Sequence, residues 1–194
     1  MESDRPTRPD WDRLFDVASA QEGLFTVKQA AEAGYSAQLL THHLHAGRLA
    51  RVRHGIYRIV HFPAGENEDL VAAWLWSGTE GVVSHATALA LHGLSDVLPA
   101  DLHLTVPASW SRRRLRVPRG LVLHYGNLSA DARTWFGAVP TTTVTQALND
   151  CANDGLSPEL LGQATREALR RGLAARSDLG AVAGALAPFG GIGE

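Results

Sequence analysis

One segment constrains the fold more than any other: residues 24–62, which read LFTVKQAAEAGYSAQLLTHHLHAGRLARVRHGIYRIVHF. Thr26 and Gln29 have the spacing of a capping box, which predicts that a helix begins immediately after Thr26. Gly34 stands where a helix ends in the left-handed conformation, and Ser36 can cap a second helix two residues later. Two helices joined by so short a turn predict a helix-turn-helix.

The second helix of this pair has one apolar face and one polar face. Ala37, Leu40 and Leu44 recur at spacings of three and four residues, so they share the side that we expect to be buried. The opposite side carries groups that can form hydrogen bonds with base edges. These residues are Gln38, Thr41, His42 and His45.

Two short β-prone runs follow the second helix and flank the pair His54-Gly55. Such a pair predicts a hairpin, in which Gly55 supplies the positive φ of the turn. A hairpin directly after a helix-turn-helix is the outline of a winged helix, with the second helix in the major groove and the wing along the phosphates.

Acidic residues are absent from two windows, residues 33–65 and residues 102–130, although the whole chain carries 20 of them. The windows contain these arginines: Arg48, Arg51, Arg53, Arg58, Arg112, Arg113, Arg114, Arg116 and Arg119. An arginine that contacts a phosphate releases counterions condensed on the DNA, whereas a carboxylate would repel the phosphate. The first window therefore predicts binding to double-stranded DNA, although a small helical domain with a solvated basic face has a similar pattern.

The second window, between two alternating runs at residues 102–106 and 121–125, predicts a basic loop between strands. It contains Trp110 beside Arg112, Arg113, Arg114, Arg116 and Arg119. Three interpretations remain open: a second DNA contact, a docking site for an acidic protein, and a solvated turn. An exposed Trp110 would favour the first two, since an exposed indole is costly unless it meets a partner.

The histidines do not form a recognisable metal or catalytic motif in the sequence. His42 and His45 share a helix face, but no cysteine or acid nearby completes a ligand set, so we expect no metal there. His85 and His92 lie two turns apart on a predicted helix, and we expect backbone carbonyls to satisfy both rings. No nucleophile motif, P-loop or carboxylate cluster accompanies them. We therefore expect neither enzymatic activity nor a cofactor.

The remaining composition indicates the redox compartment and the absence of a membrane partner. Cys151 is the only cysteine, which excludes an intrachain disulfide and suits a reducing cytoplasm. No apolar run approaches the roughly 20 residues that cross a bilayer, so we expect no membrane partner. We predict an α+β protein with a winged helix-turn-helix at residues 8–62 and a small mixed α/β domain at residues 68–187.

Several phrases, in this order, resemble the AbiEi-like family of antitoxins from type IV toxin–antitoxin systems. They are FTVKQAAEAGYSAQLLTHHLHAGRLARVRHGIYRI, SHATALALHGL, LHLTVP, VPTTTVTQALNDCAN and EALRRGL. The resemblance extends over residues 24–173, and the first two phrases carry most of it.

The resemblance implies a cytoplasmic transcriptional regulator of two domains. The winged helix of such a protein binds and represses the promoter of its own operon, as a monomer or a homodimer on the DNA. The second domain is associated with neutralising a nucleotidyltransferase-like toxin. The implied DNA contacts are Ser36, Gln38, Thr41, His42, Arg48, Arg51, Arg53, His54 and Arg58. The second-domain motif falls on Ser84, His85, Leu91, His92 and Gly93, which we interpret as fold-forming.

Overall fold

The computed structural model describes residues 8–94 and 99–192, and the chain divides into two compact units between Thr79 and Glu80. Across the described ranges, no helix combines the length and the apolar character that crossing a bilayer requires. Both units contain helices and a sheet, so the predicted α+β class is confirmed.

The first unit is a winged helix. Its elements are α1 (Trp11–Ser19), β1 (Leu24–Thr26), α2 (Val27–Glu32), α3 (Ala37–His45), β2 (Leu49–Arg53), β3 (Ile56–Ile59) and α4 (Glu68–Trp76). The strands form an antiparallel sheet in the order β1-β3-β2, with β2 and β3 as the hairpin. This order confirms the fold that the sequence predicts for the N-terminal part of the chain.

The predicted caps set the boundaries of the helix-turn-helix. Thr26 Oγ1 accepts a hydrogen bond from the Gln29 amide at 3.2 Å, and Gln29 Oε1 accepts one from the Thr26 amide at 2.8 Å. Ser36 Oγ accepts a hydrogen bond from the Leu39 amide at 3.2 Å and so begins α3. Gly34 has a φ of 83° in the turn between the helices, where a side chain would be strained.

The core of the first unit is small and aromatic at its centre. Phe25 is fully buried and stacks on Tyr57 with a centroid separation of 5.9 Å. Leu14 from α1 and Leu40 from α3 are buried in the same cluster. Trp11, which we expected to anchor this core, is 41% exposed and lies at the edge of it.

The helix α4 lies in the first unit, although we had assigned residues 68–187 to the second domain. It contacts β1 and β3 of the three-stranded sheet. Asn67 precedes this helix, but its side chain makes no capping hydrogen bond. The backbone amide of Asn67 instead donates a hydrogen bond to Glu22 Oε2 at 3.2 Å. A contact between residues so distant in sequence left no local pattern to predict.

The second unit consists of a five-stranded mixed sheet and four helices. Its elements are β4 (Val82–Val83), α5 (His85–Leu91), β5 (Leu102–Val106), β6 (Leu121–Tyr125), β7 (Arg133–Phe136), β8 (Val139–Thr142), α6 (Val144–Asn153), α7 (Pro158–Arg170) and α8 (Gly180–Leu186). The strand order is β6-β5-β4-β8-β7. Strands β5 and β6 are parallel, so residues 107–120 form a crossover between them.

The hairpin of β7 and β8 is not among the elements that the sequence predicts. Pro140 lies within β8, which pairs with the edge strand β7. Residues 115–117, in the crossover, have no regular structure. The regular structure in the described crossover is a short 3₁₀ turn at Ala108–Arg112.

The single cysteine belongs to the core of the second unit. Cys151 is 2% exposed and packs with buried residues of α5, α7 and α8. Burial, together with the charges of Asp150 and Asp154, raises the pKa of its thiol to about 12. The thiol is therefore protonated at neutral pH and out of reach of reagents.

The native protein should not react with a thiol-specific chromogenic disulfide at pH 8, because the thiolate is the reactive form and is both buried and rare. The same protein unfolded in guanidinium should release one equivalent of chromophore. Ser109→Cys, at an exposed position, provides the control and should add one fast-reacting thiol. Rapid reaction of the native wild-type protein would contradict the packing of this core.

Candidate nucleic-acid interface

The outward face of α3 carries the polar residues that the sequence predicts. Gln38, Thr41, His42 and His45 are exposed, as is the cap residue Ser36 at the start of the helix. The Thr41 hydroxyl donates to the Ala37 carbonyl at 2.9 Å, so it presents acceptor lone pairs outward. This face matches what base-edge recognition requires.

His43, between His42 and His45, faces the other way. Its ring lies 5.8 Å from the ring of Tyr35, which is buried in the core. Burial lowers the pKa of His43, and the nearby charges of Arg48 and His42 lower it further. The row of histidines in α3 is therefore divided between the core and the solvent, and it does not present three ligands on one side.

The wing is a tight hairpin with its tip at His54-Gly55. Gly55 has a φ of 74°, as predicted, and its carbonyl accepts a hydrogen bond from the Val27 amide at 2.9 Å. This bond ties the tip of the wing to the start of α2. The Arg51 guanidinium donates a hydrogen bond to Nδ1 of His54 at 3.1 Å, and both side chains are exposed. The tip therefore presents a cationic group in a defined position.

The four arginines of the first window have different surroundings. Arg48 and Arg51 are exposed, and within the described ranges neither has a carboxylate oxygen within 4.0 Å. Arg53 Nη2 lies 4.0 Å from Asp69, whose side chain is 91% exposed and can move away. The free cationic groups of the wing are thus concentrated at Arg48 and Arg51.

Arg58 requires a correction, since it was predicted to contact DNA. Its Nε lies 3.2 Å from Oε2 of Glu68, and its Nη2 donates a hydrogen bond to the Phe62 carbonyl at 3.0 Å. Both side chains of the ion pair are largely buried, with 21% and 28% of their surface exposed. Arg58 therefore joins α4 to the sheet and is removed from our set of DNA contacts.

The second basic segment also differs from expectation at its aromatic residue. Trp110 is 6% exposed, and the Arg113 guanidinium lies 4.4 Å above its ring. An exposed Trp110 would have favoured a DNA or protein contact, but the indole is buried and Arg113 covers it. Arg112, Arg114, Arg116 and Arg119 are exposed along the crossover.

The two histidines of the second-domain motif have separate roles. His92 Nε2 donates a hydrogen bond to the Thr142 carbonyl at 2.8 Å, the kind of partner that we predicted. The partner of His85 Nδ1 is the Ser84 hydroxyl at 2.9 Å, where we predicted a carbonyl, and its ring stacks on that of His124 of β6. Sequence reasoning missed the grouping of His85 with His103 and His124.

The geometry of the first unit defines a class of protein: a winged helix with a polar recognition helix and a cationic wing. The family model described as "Transcriptional regulator, AbiEi antitoxin" matches residues 12–60, which run from α1 to the end of the hairpin. The resemblance predicted from the sequence is confirmed over this segment. The family is one of transcriptional regulators and antitoxins.

Two further comparisons complete the findings. No curated protein matches the chain. Among solved structures, the crystal structure of the RV2827C protein from Mycobacterium tuberculosis is 16% identical to this chain, with a TM-score of 0.37. That match covers 91% of this chain and 80% of the other.

Arg58→Ala should lower the free energy of unfolding of the first unit by about 1 to 2 kcal/mol, because it leaves Glu68 unpaired in a largely buried position. Arg51→Ala removes the same side chain from an exposed site and should change stability by less than about 0.5 kcal/mol. Urea denaturation of the two variants measures the difference. Equal effects of the two variants would show that the ion pair with Glu68 contributes nothing to the free energy of unfolding.

Proposed function

We propose that the protein is a sequence-specific DNA-binding regulator that represses its own operon as the antitoxin of a type IV pair. The observation that carries this proposal is the outward face of α3 beside a wing whose Arg51 has no carboxylate oxygen within 4.0 Å in the part of the chain that the structure describes. In this arrangement α3 enters the major groove, and the wing follows the phosphate backbone.

The residues divide into two functional groups in this proposal. Gln38, Thr41, His42 and His45 contact base edges, and Gln38 lies in the first turn of α3, which reaches deepest into the groove. The backbone group consists of Ser36, Arg48, Arg51, Arg53 and His54. Contacts of the first group specify sequence, whereas contacts of the second position the protein.

The partner of the second unit belongs to the same proposal. A nucleotidyltransferase-like toxin encoded beside this gene is the partner that the AbiEi resemblance implies. The exposed arginines 112, 114, 116 and 119 offer a surface for acidic side chains of such a partner, and equally for additional DNA backbone. Co-purification with the neighbouring gene product that resists nuclease treatment would favour the protein partner.

Arg51→Ala should weaken binding to the DNA upstream of the gene, and to unrelated DNA, by a similar factor. The slope of log affinity against log salt should flatten by about one unit, since one phosphate contact is lost. Gel-shift titrations at several salt concentrations measure both quantities. Arg166→Ala, which removes an exposed arginine from α7, is the matched control and should leave affinity and slope unchanged.

Gln38→Ala should instead change the sequence preference, because it removes a base contact and no charge. Affinity for the upstream DNA should fall by about 1 to 3 kcal/mol, while affinity for unrelated DNA and the salt slope stay the same. If neither Gln38→Ala nor Arg51→Ala altered binding, α3 and the wing would not be the interface. The better account of this chain would then be a module that binds another protein and keeps the winged helix only as a scaffold.

A further inference from the structure

Three histidines of the second unit come together from three different elements. His85 begins α5, His103 lies on β5 and His124 lies on β6. In the parallel register of β5 and β6, Thr105 is opposite His124, so the side chains of His103, Thr105 and His124 share one face of the sheet. The register of two strands therefore brings together histidines that are 21 residues apart.

The ring nitrogens of this histidine trio are close to one another. His103 Nδ1 is 2.9 Å from His124 Nε2, and one nitrogen from each of the three rings lies within 4.8 Å of the others. The ring of His85 stacks on that of His124 with a centroid separation of 3.4 Å and an interplanar angle of 15°. No other group of three possible ligands this close occurs in the described ranges.

We propose that His85, His103 and His124 bind one divalent transition-metal ion of the zinc type. Zinc binds imidazole nitrogen at about 2.0–2.1 Å, which places two ligand nitrogens of a tetrahedral site roughly 3.4 Å apart. The ligand nitrogens of the trio lie within 4.8 Å of one another, so binding an ion brings them closer together. Because the lone pair of an imidazole nitrogen lies in the plane of its ring, His85 and His124 rotate out of their stacked arrangement when both bind the ion.

A hydrogen-bonded chain behind His85 can orient its ring. Thr105 Oγ1 donates to Ser84 Oγ at 2.8 Å, and Ser84 Oγ lies 2.9 Å from Nδ1 of His85. When Nδ1–H donates to Ser84, Nε2 carries the lone pair that a metal requires. Metal-binding histidines commonly donate their second ring nitrogen in this way. Ser84 is therefore a positioning residue for His85.

The neutral protonation state of the three histidines favours the binding of a cation. Burial, together with the neighbouring rings of His124 and His103, lowers the pKa of His85 to about 3. Burial also lowers the pKa values of His103 and His124, against the opposing charge of Asp154. Neutral imidazole is the form that binds a metal, so the folded protein offers these ligands at neutral pH without releasing a proton.

An open depression borders the trio and offers a place for a fourth ligand. His85 and His124 line it together with Gln146 and Asp150 of α6. Asp150 Oδ1 accepts a hydrogen bond from Gln146 Nε2 at 2.7 Å, whereas Oδ2 is buried and has no hydrogen-bond partner within the described ranges. A carboxylate oxygen or a water bonded to it can complete four-coordinate zinc.

The backbone at His85 gives independent support. Its φ is 52°, a left-handed conformation that strains a residue other than glycine and that accumulates at functional sites. Asparagine tolerates this conformation better than most residues. His85→Asn therefore removes the imidazole while retaining the backbone, which makes it a cleaner variant than alanine.

The proposal is tested on the full chain stripped of metal with a chelator and titrated with Co²⁺. We expect visible d–d absorption of a four-coordinate site that saturates at one ion per chain and disappears when Zn²⁺ is added. Zn²⁺ should also raise the melting temperature of the wild-type protein, because an ion that binds only the folded state stabilises it.

Variants then locate the ion. His85→Asn, His103→Ala and His124→Ala should each lower Zn²⁺ affinity by more than about 100-fold, beyond the range of outer-shell changes, whereas Ser84→Ala should cost about tenfold. His45→Ala on α3 is the matched control and should leave stoichiometry and affinity unchanged. Circular dichroism identifies any variant that fails to fold.

Two outcomes would overturn the proposal. One is a folded, metal-free wild-type protein that gives no saturable Co²⁺ spectrum, in which case the trio is a stacked, hydrogen-bonded cluster. The other is a spectrum that His45→Ala abolishes and that folded trio variants retain. The wild-type titration decides the first outcome alone, even if every trio variant unfolds.

Discussion

The burial of three short helices against one small sheet determines which side of α3 faces the solvent. α1, α2 and α3 contain only 9, 6 and 9 residues, and helices of this length are not stable alone in water. Their stability comes from a shared core around Phe25 and Leu40. Because Leu40 must point into that core, the polar residues of α3 must point away from it.

The electrostatic character of the wing is a property of the folded unit and not of the local sequence alone. The first window contains no acid, yet α4 brings Glu68 to Arg58 and Asp69 to the neighbourhood of Arg53. Among the described residues, the arginines of the first window that have no carboxylate oxygen within 4.0 Å are Arg48 and Arg51. In the proposed mode of DNA binding, this distribution confines phosphate contact to a small area beside α3.

Local patterns predicted most of the first unit, because caps and turns depend on residues three or four positions apart. Thr26, Gly34, Ser36 and Gly55 all have the predicted roles. The failures concern contacts between distant residues: the Arg58–Glu68 pair, and the grouping of the histidines on β5, β6 and α5. Those contacts depend on packing and on strand register, which one sequence does not reveal.

The second unit was predicted less completely for the same reason. His103 and His124 lie on the polar faces of two strands that the sequence predicts. Only the parallel register of β5 and β6 brings these two side chains together. Trp110 was judged by its arginine neighbours in sequence, whereas its burial results from packing that brings Arg113 over its ring. Edge strand β7, with Trp135 67% exposed, lacks the apolar alternation that identifies a strand.

The central claim, that α3 and the wing form the surface that binds duplex DNA, is tested most directly by amide chemical shifts. ¹⁵N-labelled protein would be titrated with a short duplex from the region upstream of its gene. The account predicts that the largest shifts fall in residues 36–48 and 51–55, and that they become smaller as salt is added. Shifts confined to α1, or to the second unit alone, would contradict it.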